Sequence, residues 1–571
     1  MKQVFRDSFF GHLVRYASGN KFFKYPEEEP GFHIPEGYLL PEERDKRRSD
    51  VVSGVPSEAI SDEKPPEDDD DLEKSSLAWH GHGHQAVESG RREHASPQRT
   101  QSGVTTVTWY SDTDPENPHN WPNSKKLWVG WIILQYTLAI YIAASLYTAA
   151  IPEMMNRWNL GRVASSVGLS IYVIGYGTGP LIMSPLSEIP WIGRNPPYVI
   201  GFFLFCIIAI PIAFVDNFAE MLVLRFFLGV AGSPALATGG ASYGDFCNGM
   251  QMPYAIAIWA GGASAGPSLG PLISNFAAKA NWRWPFYETL LIAVPTWMAM
   301  FLFLPETSND QILLRRAQRL RKLTGRDDLM AESEIKAKTK QTKEVLFAAL
   351  VKPWEINMKD PAVLYTTIYL GLVYGIYYSF FESFPIVFGE IYHFSFGIMG
   401  AAFLCIAVGC LLAVIVWCGF FYFYFDRQMA KMQLDNVPPE ARLAPGLLFT
   451  WIIPAGLFIF AWTSRPSIHW IVPMIGVTIS MMGNFIIAQC VLIYLPFCYP
   501  RYVGSLFAAN GLSRALLAAA AILFSIPMFE NLGVDWGVSL LGFLTVACAV
   551  GIYVLYFFGA NLRKRSKFAE S

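Results

Sequence analysis

Twelve apolar runs of twenty or so residues, separated by short polar turns, constrain this chain more than any other feature. They cover 127–150, 164–186, 196–215, 220–242, 253–276 and 284–304, then 362–388, 397–424, 444–462, 468–495, 503–526 and 535–558. A run of that length matches a helix crossing the hydrocarbon core of a bilayer, about 30 Å thick. With no water there to bond the backbone, a helix is the form such a run can take. Between the two sets of six lies a polar segment, 305–361. Six plus six about a hydrophilic middle is the hydropathy symmetry of a two-bundle transporter. The expected fold is an all-α membrane protein: 12 transmembrane helices in two six-helix bundles, pseudo-twofold related. The expected domains are a cytoplasmic N-terminal tail at 1–126, bundles at 127–304 and 362–558, a basic central loop at 305–361 and a basic tail at 559–571. Charged residues make up 16% of the 571 and hydrophobic residues 53%, against about 25% charged in soluble domains. Disordered, collagen-like and disulfide-framework chains are thereby excluded.

Charge sets the orientation. With both termini and the central loop in the cytoplasm, 23 Lys and Arg counted from Lys125 onward fall on that side and five on the other (Arg157, Arg162, Lys279, Arg283 and Arg465), as the positive-inside rule requires. The first residues lack the uninterrupted apolar core of a secretory signal, so the run at 127 is expected to insert the chain. Residues 40–106, with the acidic run Glu67–Asp71 and the tract His80-Gly-His82-Gly-His84, read as a disordered linker. The segment Phe5–Tyr25 is aromatic enough to form an amphipathic helix on the membrane face. The eight cysteines lie mostly inside apolar runs without metal-ligand spacing, so no metal site is expected. A net charge of −2 gives no pull toward nucleic acid.

Several strings carry more specific information. Asp114-Pro-Glu-Asn-Pro-His-Asn-Trp-Pro122 precedes the first run. The turn after the second reads Ser187-Glu188-Ile-Pro-Trp-Ile-Gly193-Arg194. Run four contains Arg225-Phe-Phe-Leu-Gly229-Val-Ala-Gly232. Run five contains Gly262-Ala-Ser-Ala-Gly266-Pro267-Ser-Leu-Gly270-Pro271, and run six is followed by Leu304-Pro-Glu-Thr307 and Arg315-Arg-Ala-Gln-Arg-Leu-Arg321. Together these strings resemble the fungal 12-span drug:proton antiporters of the major facilitator superfamily, the fluconazole- and benomyl-resistance type. The resemblance covers nearly the whole chain apart from 40–106. It implies the major facilitator fold. It also implies that Gly262, Gly266, Pro267, Gly270 and Pro271 form the antiporter motif, that Arg225 serves proton coupling, and that Glu188, Gly193, Arg194 and Asp245 form a cytoplasmic gate.

Residue chemistry adds further candidates. An arginine within a span is costly, about 2.5–3.5 kcal/mol on insertion scales; Arg225 either serves a function or reaches for the outer interface. Glycines at i, i+4 and i+8 of run five share one face and leave a smooth groove for a neighbouring helix. Glu382 shares a helical face with Tyr374 and Tyr378, and such a carboxylate either carries a proton or a cationic drug or merely packs against a tyrosine. With Glu288, these residues make the expected substrate cavity. Arg225, Glu382 and Arg514 make the expected proton-coupling set, Arg514 with an unknown partner. The family architecture that the resemblance implies would bring Asp245 near Arg194, so the two are expected to pair, with Glu188 facing the start of run eleven near Gly504.

No phosphate-cradling string, catalytic triad or metal cluster is present in the sequence, so neither an enzyme nor a cofactor is expected. The expected partners are protons, the bilayer and small amphipathic or aromatic toxic compounds such as azoles and fungicides. The expected location is the plasma membrane, with the protein working as a monomer. A polyamine or secondary-metabolite exporter, a proton-coupled importer and a non-transporting membrane sensor are the alternatives.

Overall fold

The computed structural model describes residues 2–35, 38–39, 103–339, 351, 354–425, 427, 438–499, 503–566 and 568. The acidic run and the histidine tract lie outside the described residues. Two short helices, α1 (Lys2–Arg6) and α2 (Phe9–Ala17), open the chain, and a strand β1 (Thr105–Val107) follows. The first set of apolar helices comprises α3 (Asn123–Leu146), α4 (Ile151–Trp158), α5 (Arg162–Thr178), α6 (Pro180–Glu188), α7 (Asn195–Ile212), α8 (Phe218–Gly232), α9 (Pro234–Phe246), α10 (Met252–Ala277) and α11 (Trp284–Phe303). The central segment forms α12 (Asn309–Thr324), β2 (Leu329–Ala331) and α13 (Glu332–Thr339). The second set comprises α14 (Pro361–Phe384), α15 (Phe396–Ala402), α16 (Leu404–Phe420), α17 (Ala444–Thr463), α18 (Ile471–Cys498) and α19 (Val503–Arg565).

Local chemistry sets the helix ends. The Asp360 carboxylate accepts from the Ala362 and Val363 amides, and Pro361, whose missing N–H costs nothing there, opens α14. Pro385 turns the far end into a π-helical segment, Pro385–Ile391. Pro234 interrupts run four, dividing it into α8 and α9. At 60 residues the stretch Leu506–Arg565 would measure about 90 Å, far more than one bilayer. It breaks at Gly533, whose φ of 77° is left-handed. The break falls within 527–534, the gap between the last two expected runs, with helix continuing to Leu532.

Among the described residues nine helical stretches are long and apolar enough to cross a membrane. Their outward faces are apolar: Leu411 is 61%, Phe543 57% and Phe557 66% exposed. That many large bare side chains have their natural solvent in lipid, not water.

Packing forms two groups. In the first, α3 lies between α10 and α11, α5 on α8, and α7 on α8 and α11. In the second, α14 packs on α19, α17 on α18 and α19, and α16 on α18. The groups meet where α5 touches α19 and where α10 touches α15 and α16.

Three expectations for the polar segments change. The segment Phe5–Tyr25 forms two helices whose aromatic side packs on protein: Phe5 against Phe303, and Phe9 and Phe10 against Phe301. The stretch read as disordered through residue 106 is ordered at its end, where Thr105–Val107 pairs in parallel with Leu329–Ala331. The central segment, read as a loop, is largely helical from Asn309 to Thr339.

Candidate functional site

The glycines of α10 lie against α3. A Cβ on Gly262 would strike Leu134, on Gly266 the Cβ of Tyr141 (2.8 Å), and on Gly270 Ser145 and the Leu146 backbone nitrogen (2.8 Å). The stripe is therefore a seat for α3, and Pro267 and Pro271 lie buried in the same helix. On the opposite partner, a Cβ on Gly400 of α15 would meet the Pro271 carbonyl. One helix thus touches both groups without side chains intervening.

Arg225 does not reach for an interface; it is 2% exposed. Its Nε donates to the Gly168 carbonyl (2.7 Å) and an Nη to the Ala144 carbonyl (3.3 Å). The rings of Tyr147 and Tyr172 stand 4.2 and 5.1 Å from its guanidinium carbon. Carbonyl dipoles and π-faces thus solvate the charge where no carboxylate does. Tyr147 in turn has Glu382 as its other charged neighbour. Glu382 sits on α14 of the second group, yet it faces Ser166 and Arg162 of the first.

The remaining cavity candidates part company. Tyr374 and Tyr378 share hydrogen bonds with the Tyr176 hydroxyl, at 2.7 and 3.0 Å. Tyr377 donates to the Ser264 carbonyl (3.0 Å). These phenols join α14 to α5 and α10. Arg514 stands 5.5 Å from the Tyr374 ring, and its neighbours are Tyr374 and Tyr141, not Tyr147. Glu288 lies apart from this tyrosine group: its carboxylate accepts from Ser274 inside the first group.

The residues of the expected gate come together around a residue the sequence reading left without a role. Arg194 pairs with Asp245 through Nε (2.6 Å) and an Nη (3.3 Å), and Thr307 donates to the same carboxylate (3.1 Å). Glu306 accepts from the backbone amides of Arg194 (3.0 Å), Asn195 (3.1 Å), Thr307 (3.0 Å) and Ser308 (2.9 Å). It thereby serves the amino ends of both α7 and α12, where orphan N–H groups favour negative charge. Gly193 has φ 77°, and a Cβ there would press on Gln311 and on Glu306 Oε2 at 2.7 Å. Glu188 is exposed with Arg194 as its charged neighbour; its expected contact near Gly504 falls on 503–505, whose side chains lie outside the described residues.

The signature before α3 also pairs at long range. Arg316, 1% exposed, binds Asp114 (2.6 and 3.2 Å) and Glu116 (2.9 Å). Arg319 binds Glu27 (3.1 Å) and Glu116 (3.3 Å), and Arg6 reaches Glu116 (3.4 Å). Arg316 holds Asp114 below the usual carboxylate range against the opposing effect of burial, whereas burial leaves Glu116 above it. This cluster ties residues 6–27, 114–116 and 316–319 together. The mixture of acids in the signature and arginines in Arg315–Arg321 was its one trace in sequence. Among the described residues no group of three or more metal-ligating side chains occurs.

Comparison with known proteins follows the same lines. A model of the Major Facilitator Superfamily matches residues 136–522. The MFS-type transporter pyvG of Aspergillus violaceofuscus is 40% identical over 573 residues, covering 100% of both chains. The cycloheximide resistance protein of Candida maltosa is 36% identical over 580 residues, again covering 100% of both. Among solved structures, the proton:xylose symporter XylE aligns with TM-score 0.55 over 76% of this chain and 97% of its own. At 12% identity that likeness speaks for the fold alone. The chain belongs to the Major Facilitator Superfamily and, within it, to the fungal drug-efflux transporters.

Proposed function

We propose that this protein is a drug:proton antiporter that exports amphipathic or aromatic toxic compounds by alternating access. It works as a monomer in the plasma membrane, with twelve spans in two six-helix bundles and both termini in the cytoplasm. The drug-efflux part follows from the family and from a relative named for cycloheximide resistance. The coupling part is supported by one observation: Glu382 belongs to one group of helices, but its neighbours Ser166, Arg162 and Tyr147 belong to the other.

In this reading, parting the groups at that end bares Glu382 to the outer medium, where it takes a proton. Closure returns it beside Tyr147 and Arg225, and opening on the cytoplasmic side releases the proton inward. One proton crossing 100 mV supplies about 2.3 kcal/mol. Arg194, Asp245, Glu188 and Gly193 hold the cytoplasmic turn that must move, and the α10 glycine stripe keeps α3 close throughout the cycle.

The test is export of cycloheximide from a pump-deficient yeast host into acidic medium. Export should vanish with a protonophore and with Glu382→Gln at normal surface level, while Glu288→Gln should export as the parent does. Export indifferent to the protonophore refutes antiport.

A further inference from the structure

Two arginines lie within the spans and are treated differently. Arg225 has two carbonyl acceptors and two facing rings. Arg514 has, among the described residues, no hydrogen bond and no carboxylate; its Nε is buried without a partner, and it faces the Tyr374 ring. One turn earlier on α19 stands Asn510, on the same face by its i, i+4 spacing. Asn510 is 1% exposed, and neither atom of its amide has a partner. An unmade hydrogen bond on a buried polar group costs stability that folding does not recover. Two such residues one turn apart, at the phenol cluster shared by both helix groups, mark groups kept for something that arrives.

We propose that Arg514 and Asn510 are the polar end of the substrate site, and that this site selects compounds bearing oxygen acceptors, carboxylates and neutral carbonyl, imide or ester groups, over organic cations. The proposal rests on the exporter reading above and names its substrate class.

The chemistry of the lining carries the choice. A guanidinium has five N–H donors and no acceptor; the Asn510 amide adds two donors and one acceptor oxygen, both without a partner, while the Tyr176, Tyr374 and Tyr378 hydroxyls are engaged with one another. Free donors outnumber free acceptors, so a bound molecule is chosen chiefly for its acceptors. The rings of Tyr374, Tyr377 and Tyr378 pack within 5.2–6.3 Å of one another; Tyr377 and Tyr378 are buried, and the partly exposed Tyr374 ring, held by them, offers flat apolar surface for the body of the bound molecule. An organic cation would meet Arg514 as a like charge over the ring face it would itself prefer. The acid that would attract it, Glu382, is eight residues from Tyr374, about 12 Å along the helix, and faces Ser166 and Arg162 instead.

The experiment compares two dyes built on one xanthene ring system with opposite charge: fluorescein, an anion carrying a carboxylate, and tetramethylrhodamine methyl ester, a cation. Binding to the purified full-length protein is followed by fluorescence polarisation, with cycloheximide as a neutral carbonyl-bearing competitor. Fluorescein should bind at least tenfold more tightly than the rhodamine ester, and cycloheximide should displace it. Arg514→Leu should weaken fluorescein at least tenfold and leave the rhodamine ester unchanged or tighter. Arg514→Lys, which keeps the charge, should keep the anion preference, and it serves where Arg514→Leu fails to fold. Asn510→Leu should weaken cycloheximide. Equal or tighter binding of the cation, or fluorescein affinity unmoved by Arg514→Leu, overturns the proposal. Because binding is read without transport, intact binding with no export in cells would refute the exporter reading and leave this one standing.

Discussion

Replacing Arg316 by Gln tests whether the charged signature before the first span is a latch rather than a turn. Arg316 is fully buried and forks onto Asp114 and Glu116. Removing one partner of a buried ion pair costs about 3–5 kcal/mol. Arg319 remains on Glu27 and Glu116, and Glu116, already held high by burial, can take up a proton. Asp114 then loses its cationic partner but still accepts from the Tyr110 and Glu116 amides, which puts the cost at the lower end, about 3 kcal/mol. At one decade per 1.4 kcal/mol, the docked population of the N-terminal segment falls roughly a hundredfold. Hydrogen–deuterium exchange on α2 and β1 reads that population directly, because local opening sets the exchange rate. Arg315→Gln is the matched control: Arg315 donates to His12 and has no ion pair with an acid among the described residues, so it should change exchange by less than tenfold. Unchanged protection of α2 in Arg316→Gln, or a larger effect at Arg315, would refute the reasoning.

Further outcomes follow from the same geometry. Burial first, then Arg315, Arg15, Arg319 and Arg6, pushes His12 down to about 2. The undocked state, with a histidine near 6.5, thus binds the extra proton, so docking is strongest above pH 6.5 and weakens about 1.4 kcal/mol for each unit below it. Glu116, raised when docked, offsets part of this as pH approaches 5, and His12→Gln should flatten the exchange–pH slope above that. At Gly270 an added methyl meets Ser145 and the α3 backbone; overpacking of this kind costs about 1–3 kcal/mol, so Gly270→Ala should lose most export at normal surface level while Gly511→Ala, with open space around it, should not. Arg162 bridges the groups to Glu390 (2.5 Å) and Glu530 (3.8 Å), but all three are about half exposed. Such pairs contribute about 1 kcal/mol at most, so Arg162→Gln should shift the inward–outward balance, read by cysteine accessibility, no more than about fivefold.

Much of the site was legible where a motif and a position agreed. Arg194 and Asp245 meet as expected, a pairing that the resemblance to the family implied and that the residues alone did not. The glycine stripe was legible because its spacing carries the geometry by itself. What sequence could not supply were partners. Glu306 serves amides more than 100 residues earlier, and Arg316 pairs with acids about 200 residues away; no local pattern joins them. Tyr147 and Tyr176 look like ordinary span aromatics until Arg225 and Tyr374 are placed beside them. For Glu288 the depth along a helix was legible but its partner was not: Ser274 of α10 donates to its carboxylate. The N-terminal helices were legible as amphipathic, but their apolar side found Phe301 and Phe303 before it could find lipid.

The long reach of the Arg316 cluster sets a timetable for biosynthesis. His12 waits for Arg315, Glu27 for Arg319 and Thr105 for Asp328, separations of 303, 292 and 223 residues. At about 5–20 residues per second, the first part of the chain to leave the ribosome stays undocked for roughly 15–60 s, until six apolar runs have been delivered to the membrane. Closure of these earliest residues over α12 therefore reports that the first half of the molecule has been inserted in the right order. A chain that mis-threads one run places Arg316 and Asp114 on opposite sides of the bilayer and leaves its own amino terminus open to the quality-control machinery.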